Sequence, residues 1–96
     1  MKLRLSDRAK AELLNIRDYT FKKHGAKQVA QYSGALAQGL RTLRVFPQIG
    51  LVDKRLPRGH QAFKVSHHWL CYEVNGDYID IKAIVRQLDH FENPPE

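Results

Sequence analysis

Lys54, Arg55 and Arg58 crowd one short segment, and Lys64 and Arg86 stand where later strands could carry them to the same side of a sheet. Cationic side chains gathered in this way clamp phosphates, the guanidinium bidentately, and stabilise charge on a phosphoryl group in transfer. A solvated basic loop would carry the same residues. Cleavage of RNA also needs one group to take the 2′-hydroxyl proton and another to protonate the leaving oxygen. The run Arg86-Gln87-Leu88-Asp89-His90-Phe91 offers Asp89 and His90 for such work, and His90 reads equally as a simple tail residue.

Other chemistries find less to build on. Five histidines raise the question of a metal, but His67 and His68 are adjacent and on a strand would point to opposite faces. His24, His60 and His90 lie far apart, and one cysteine makes no thiolate site. His67 and His68 therefore read as surface and edge positions, and neither metal nor cofactor is expected. Cys71 falls mid-strand, where a small buried hydrophobe is the common role. There is no Gly-rich phosphate loop, GxSxG elbow, HExxH or CxxC.

The 96 residues suit one domain, expected to span 1–96 with a tail from about 87. Apolar residues at 43% and charged residues at 27% are ordinary for a globular chain and argue against a disordered one. The lone cysteine excludes a disulfide framework. The charged start Met1-Lys2-Leu3-Arg4-Leu5 is not expected to act as a signal peptide, and no apolar run reaches the roughly 20 residues that spanning a bilayer needs. The expectation is a soluble cytoplasmic protein that does not engage membranes. Sixteen basic against ten acidic residues give a net charge of +6, unevenly spread. Residues 1–60 hold thirteen Lys/Arg and four Asp/Glu, whereas residues 61–96 hold three and six. Such a basic excess suits an anionic partner, either nucleic acid or an acidic protein segment.

The elements that must position these groups follow from periodicity and punctuation. Leu3 and Leu5 alternate with charged neighbours, as in a short half-buried strand. Ser6 then caps a helix with Ala9, Leu13, Ile16 and either Tyr19 or Thr20 on one face, closed by Gly25. A second helix runs from about Ala26 to Phe46 with Val29, Tyr32 or Ser33, Leu36, Leu40 and Leu43 as its stripe. Gly34 and Gly39 each cost this helix about 1 kcal/mol against Ala. Gly39 sits beside the stripe, where close backbone packing would offset that cost. Pro47 ends the helix, and a loop runs to Gly59.

Three strands complete the chain. The first shows Phe63 and Val65 on one face. The second turns Leu70, Tyr72 and Val74 one way and Trp69, Cys71 and Glu73 the other. Asn75-Gly76 reads as a two-residue hairpin turn. The last strand points Ile79, Ile81, Ala83 and Val85 inward. The expected fold is α+β, in the order β-α-α-β-β-β, with a helical hairpin on one face of a small antiparallel sheet. The opposite face is half covered and could meet a partner through Trp69 and Tyr78.

This order resembles the RelE/ParE superfamily of bacterial toxins from type II toxin–antitoxin modules. The matching residues run from Leu5-Ser6-Asp7-Arg8-Ala9 through Ile16, Tyr19-Thr20, His24-Gly25 and Gln28 to Tyr32, Leu36, Leu40 and Leu43. They continue with Pro47-Gln48-Ile49-Gly50, Gly59, Phe63-Lys64-Val65, His68 and Tyr72-Glu73-Val74. The resemblance is closest to the ParE branch. Asp7 replaces that branch's usual proline, His24 its tryptophan and Val85 a histidine.

A ParE-like identity implies a toxin that acts by binding, with DNA gyrase as target and no catalysis of its own. Lys82, Arg86, Asp89, His90 and Phe91 are then the expected target-binding residues. It further implies a cognate antitoxin whose acidic, partly disordered segment folds onto the basic surface in a hetero-oligomer. The alternative is a RelE-like ribosome-dependent mRNA interferase, with Lys54, Arg55, Arg58, Lys64 and Arg86 as catalytic candidates. That branch also uses a C-terminal tyrosine, and this chain has none beyond Tyr78. A non-toxic or degenerate binding module is the third reading.

Overall fold

The computed structural model describes residues 1–95, so the final residue of the expected tail, Glu96, lies outside the described residues. Strand β1 (Lys2–Leu5) leads into helices α1 (Asp7–His24) and α2 (Ala26–Val45). Strands β2 (His60–Val65), β3 (His68–Asn75) and β4 (Tyr78–Val85) follow, and a single 3₁₀ turn, Leu88–His90, closes the described chain. Among the described residues no helix is long and apolar enough to cross a membrane.

The cap expected at Ser6 forms, with its Oγ accepting from the Ala9 amide at 3.0 Å. The same hydroxyl donates to the Lys82 carbonyl at 2.8 Å, so one side chain both starts α1 and ties it to β4. Gly25, at φ 83°, ends α1 by donating its N–H to the Phe21 carbonyl and turns the chain directly into α2. A φ in that range is strained for any residue with a Cβ. The two stripes resolve onto Thr20 and Tyr32, which are half-buried, while Tyr19 and Ser33 face solvent.

The sheet has the order β1-β4-β3-β2. Three strands run antiparallel as expected, but β1 joins β4 in parallel, so the sheet is mixed rather than wholly antiparallel. Parallel pairing is open to these partners because α1, α2, β2 and β3 intervene between them, whereas strands joined by a tight hairpin pair antiparallel. The hairpin turn is also displaced by one residue from Asn75-Gly76. Asn75 remains paired with Tyr78, and Gly76, at φ 58°, and Asp77 form the loop. The Asn75 amide donates to the Glu73 and Asp80 carboxylates, which holds it in the ladder.

One face of the sheet packs under the helices. Leu70, Tyr72, Ile79, Ile81, Ile84 and Val65 bury against Ala9 and Leu43, with Leu13, Ile16, Leu36 and Leu40 packed around them. The expected inward run on β4 breaks at a bulge. Cys71 pairs with Ala83 and Tyr72 with Ile81, leaving Lys82 as an extra residue. Beyond a bulge the alternation reverses. Ile84 thus takes the helix side, whereas Ala83 and Val85 turn to the opposite face.

There they join Leu56, Ala62, Cys71 and Leu88 in a second small core, flanked by Trp69 and Phe91. The two aromatics through which this face could meet a partner each carry a cation of this chain. Trp69 is half-buried with the Lys64 ammonium above it, and Tyr78 lies 3.7 Å beneath the Arg4 guanidinium.

Candidate functional site

β1 is short, and that shortness opens a groove. It pairs with residues 78–81 of β4 and then becomes α1, so among the described residues the β4 edge beyond Ile81 has no strand beside it. Glu12 on α1 fills in for the missing strand, its Oε1 accepting from the Ile84 amide at 2.8 Å. Its Oε2 accepts from Arg8 Nε at 3.2 Å. Arg8 in turn donates to the carbonyls of His90 and Phe91 and spreads its guanidinium over the Phe91 ring. This Arg8–Glu12 bracket ties the segment after β4 to the first turns of α1. In the sequence Arg8 stands out only within the Leu5–Ala9 run and Glu12 not at all, and their i, i+4 spacing is the one signal of the pair.

Between the bracket and the far ends of the helices lies a groove of about 1240 Å³. Glu12, Ile16 and Tyr19 of α1 and Gln28, Tyr32 and Ala35 of α2 form one wall. Ser66, His67 and His68 at the β2–β3 turn, with Ile84, Val85, Arg86 and His90, form the other. That turn holds Ser66 at φ 57°, which sends the chain back in two residues and sets His67 in solvent.

His68 is not the surface or edge position that adjacency suggested. Its Nδ1 is buried without a hydrogen-bond partner among the described residues, as is the Tyr32 hydroxyl, and the two rings meet edge to face at 5.6 Å. Burial lowers the His68 pKa to about 4, assisted by the charges of Arg86 and His67. The ring is therefore neutral near pH 7. Burial also raises the Tyr32 phenol.

The candidate residues are dispersed over the molecule. Arg86 and His90 line the groove. Lys82, extruded by the bulge, sits on the opposite face with its ammonium 3.9 Å from Glu73. Phe91 packs into the second core and against the His60 ring, so it anchors the tail. Lys54 and Arg58 are exposed in the loop before β2, and Asp89 is exposed on the 3₁₀ turn. Arg55 is held in a two-pronged pair by Asp53, which depresses that carboxyl well below its usual range. Lys64 lies over Trp69. Among the described residues no three His, Cys, Asp or Glu side chains gather as metal ligands would. Cys71 is buried, and that burial pushes its thiol up to about 12, which keeps it protonated.

The family model described as "ParE toxin of type II toxin-antitoxin system, parDE" matches residues 3–91. This chain belongs to the ParE toxin family. Toxin ParE1 of Caulobacter vibrioides is 31% identical over 84 residues, covering 88% of this chain and 86% of that protein. Toxin ParE1 of Mycobacterium tuberculosis is 30% identical over 84 residues, covering 86% of each. A solved structure titled as the chromosomal ParDE TA system from P. aeruginosa superposes with a TM-score of 0.75. It covers 90% of this chain and 95% of its own, and at 21% identity it bears out the ParE fold, two helices on a four-stranded sheet.

Proposed function

We propose that this ParE-family chain is the toxin of a type II toxin–antitoxin module and stops growth by binding DNA gyrase in the cytoplasm. The observation that carries binding over bond-breaking is the dispersal of its cations. Arg55 pairs with Asp53, Lys64 covers Trp69, Lys82 faces Glu73, and Arg86 lies in the groove. Phosphoryl-transfer chemistry needs such charges converging on one reacting group.

The neutralising partner is an antitoxin whose acidic segment folds onto this surface. Support comes from the net charge of +6 and from exposed apolar side chains that offer anchors, Leu14, Tyr19 and Phe21 on α1 and Phe46, Ile49 and Val52 after α2. Inducible expression of the chain alone tests the reading. Growth arrest with a DNA-damage response and intact mRNA, relieved by the antitoxin, is expected, followed by inhibition of gyrase supercoiling in vitro. Growth arrest with cut mRNA, or no arrest by folded protein, would overturn it.

One observation favours the mRNA interferase as a second reading: Arg86 shares the groove with His67, His68 and His90. On that reading, R86Q and R58Q abolish RNA cleavage while the chain stays folded.

A further inference from the structure

Buried polar atoms are almost always hydrogen-bonded, and one left unmade costs about 1–3 kcal/mol. The groove wall holds two such atoms, Tyr32 Oη and His68 Nδ1. Arg86 stands beside them. The β3–β4 ladder pairs Trp69 with Val85, so the next step along each strand brings His68 and Arg86 across from one another. Arg86 is exposed and takes part in no ion pair among the described residues. The other charged or titratable groups lining the groove are Glu12, Tyr19 and His24 from α1, Tyr32 from α2, and His67 and His90 from the sheet end. Both Glu12 oxygens are already engaged, by the Ile84 amide and Arg8. One permanent cation thus stands beside two unfilled hydrogen-bonding atoms.

We propose that Tyr32, His68 and Arg86 form a subsite for a single carboxylate, supplied by an Asp or Glu side chain of the acidic antitoxin segment. The assignment rests on the antitoxin reading above. In it, the Tyr32 hydroxyl and the His68 Nδ1–H donate to the carboxylate and the Arg86 guanidinium neutralises it, each bond charge-assisted. A nucleic-acid strand fits this site poorly. Phosphate backbones are held by several Lys and Arg in succession, and Lys54, Arg55, Arg58 and Lys64 all lie outside the groove wall. Ile16, Ala35, Ile84 and Val85 suit the apolar remainder of a peptide.

The test uses the full chain and three probes at matched ionic strength: N-acetylglutamate amide, its neutral isostere N-acetylglutamine amide, and inorganic phosphate. NMR titration of the His68 ring is the readout. The glutamate probe should raise the His68 midpoint by about one pH unit, because a nearby anion favours the charged imidazole. The glutamine probe should leave it unchanged. Y32F and R86Q should each weaken the glutamate effect about tenfold, the loss of one charge-assisted bond, with unchanged circular dichroism. Equal responses to both amides, no response to either, or a stronger response to phosphate would overturn the assignment, the last in favour of nucleic acid. Toxicity and its relief are read separately in the growth assay, so a failed titration with intact neutralisation removes the subsite alone.

Discussion

Two glycines on the same helix should respond in opposite directions to the same substitution. By helix propensity alone, alanine at Gly34 or Gly39 stabilises α2 by about 1 kcal/mol. At Gly34 an added Cβ meets nothing within 4 Å, so that gain should appear nearly whole. At Gly39 the added Cβ would fall 2.5 Å from Val65 Cγ2, with the Phe63 ring edge at 3.5 Å. Val65 cannot easily withdraw. It is 5% exposed, lies on β2 within the main core, and its branched side chain has few rotamers. Overpacking of this kind costs about 1–3 kcal/mol, which outweighs the propensity gain and leaves G39A destabilised by up to about 2 kcal/mol.

Urea unfolding followed by circular dichroism measures both variants. For a domain of this size about 1 kcal/mol moves the thermal midpoint by roughly 4–8 °C, so the two should part clearly. The added control is G39A with V65A. Removing the valine methyls vacates the clash, so the double variant should be more stable than the sum of the two single effects by at least about 0.5 kcal/mol. If G39A stabilises the chain as much as G34A, the close approach of α2 to β2 is not what retains glycine there, and the argument fails.

Three further outcomes follow from the same contacts. Y72F removes a buried hydroxyl that donates to the Pro47 carbonyl at 2.8 Å and accepts from the Gly50 amide at 2.9 Å. It should cost about 1–3 kcal/mol and speed hydrogen exchange at Gly50; an unchanged urea midpoint would contradict this. R8Q releases the carbonyls of His90 and Phe91, so exchange at the amides of His90, Phe91 and Asn93 should quicken at least about tenfold while β3 and β4 stay protected. Uniform protection in that variant would mean the second core alone holds the tail. His68 titrates near 4 in the folded chain against 6.5 when free, so between these values the unfolded chain takes up a proton that the folded chain refuses. Stability should therefore fall as the pH drops from 6.5 toward 4, by about 1–2 kcal/mol after allowance for partial exposure. H68Q should flatten that part of the pH dependence, and identical slopes for both proteins would refute the role given to His68.

Local signals carried the helices well. Ser6 and Gly25 punctuate α1 through hydrogen bonds made within a few residues, and such bonds are legible in a linear chain. The special place of Gly39 was legible too, because its spacing from Leu36 put it beside the buried stripe. The strands were legible as alternating runs, but their detail was not. Asn75-Gly76 is a strong turn signal, yet the carboxylates of Glu73 and Asp80 draw Asn75 into the ladder and displace the loop to Gly76 and Asp77. Ile81-Lys82-Ala83 carries no mark of a bulge. The irregularity sits where β1 gives way to α1 and the Ser6 hydroxyl takes the Lys82 carbonyl, a contact between residues 76 positions apart.

The candidate site was the least legible part for the same reason. Of the residues that the ParE resemblance points to for target binding, Arg86 and His90 line the groove, whereas the Lys82 ammonium lies near Glu73 and Phe91 packs into the second core. Tyr32 and His68 looked like a stripe residue and a strand edge, because a lack of hydrogen-bond partners has no sequence signature.

By itself the amino-acid sequence determined the element order, the helix caps, the hydrophobic stripes, the basic surface and the resemblance to a toxin superfamily. All of these depend on residue type and on spacing within a turn or two. Only the tertiary structure decided the parallel seat of β1, the reversal of β4 at Lys82, the Arg8–Glu12 bracket and the gathering of Tyr32, His68 and Arg86 around one groove. Those features join segments far apart along the chain, and they arise where strand β1 ends before its partner does and side chains must satisfy the backbone it leaves exposed.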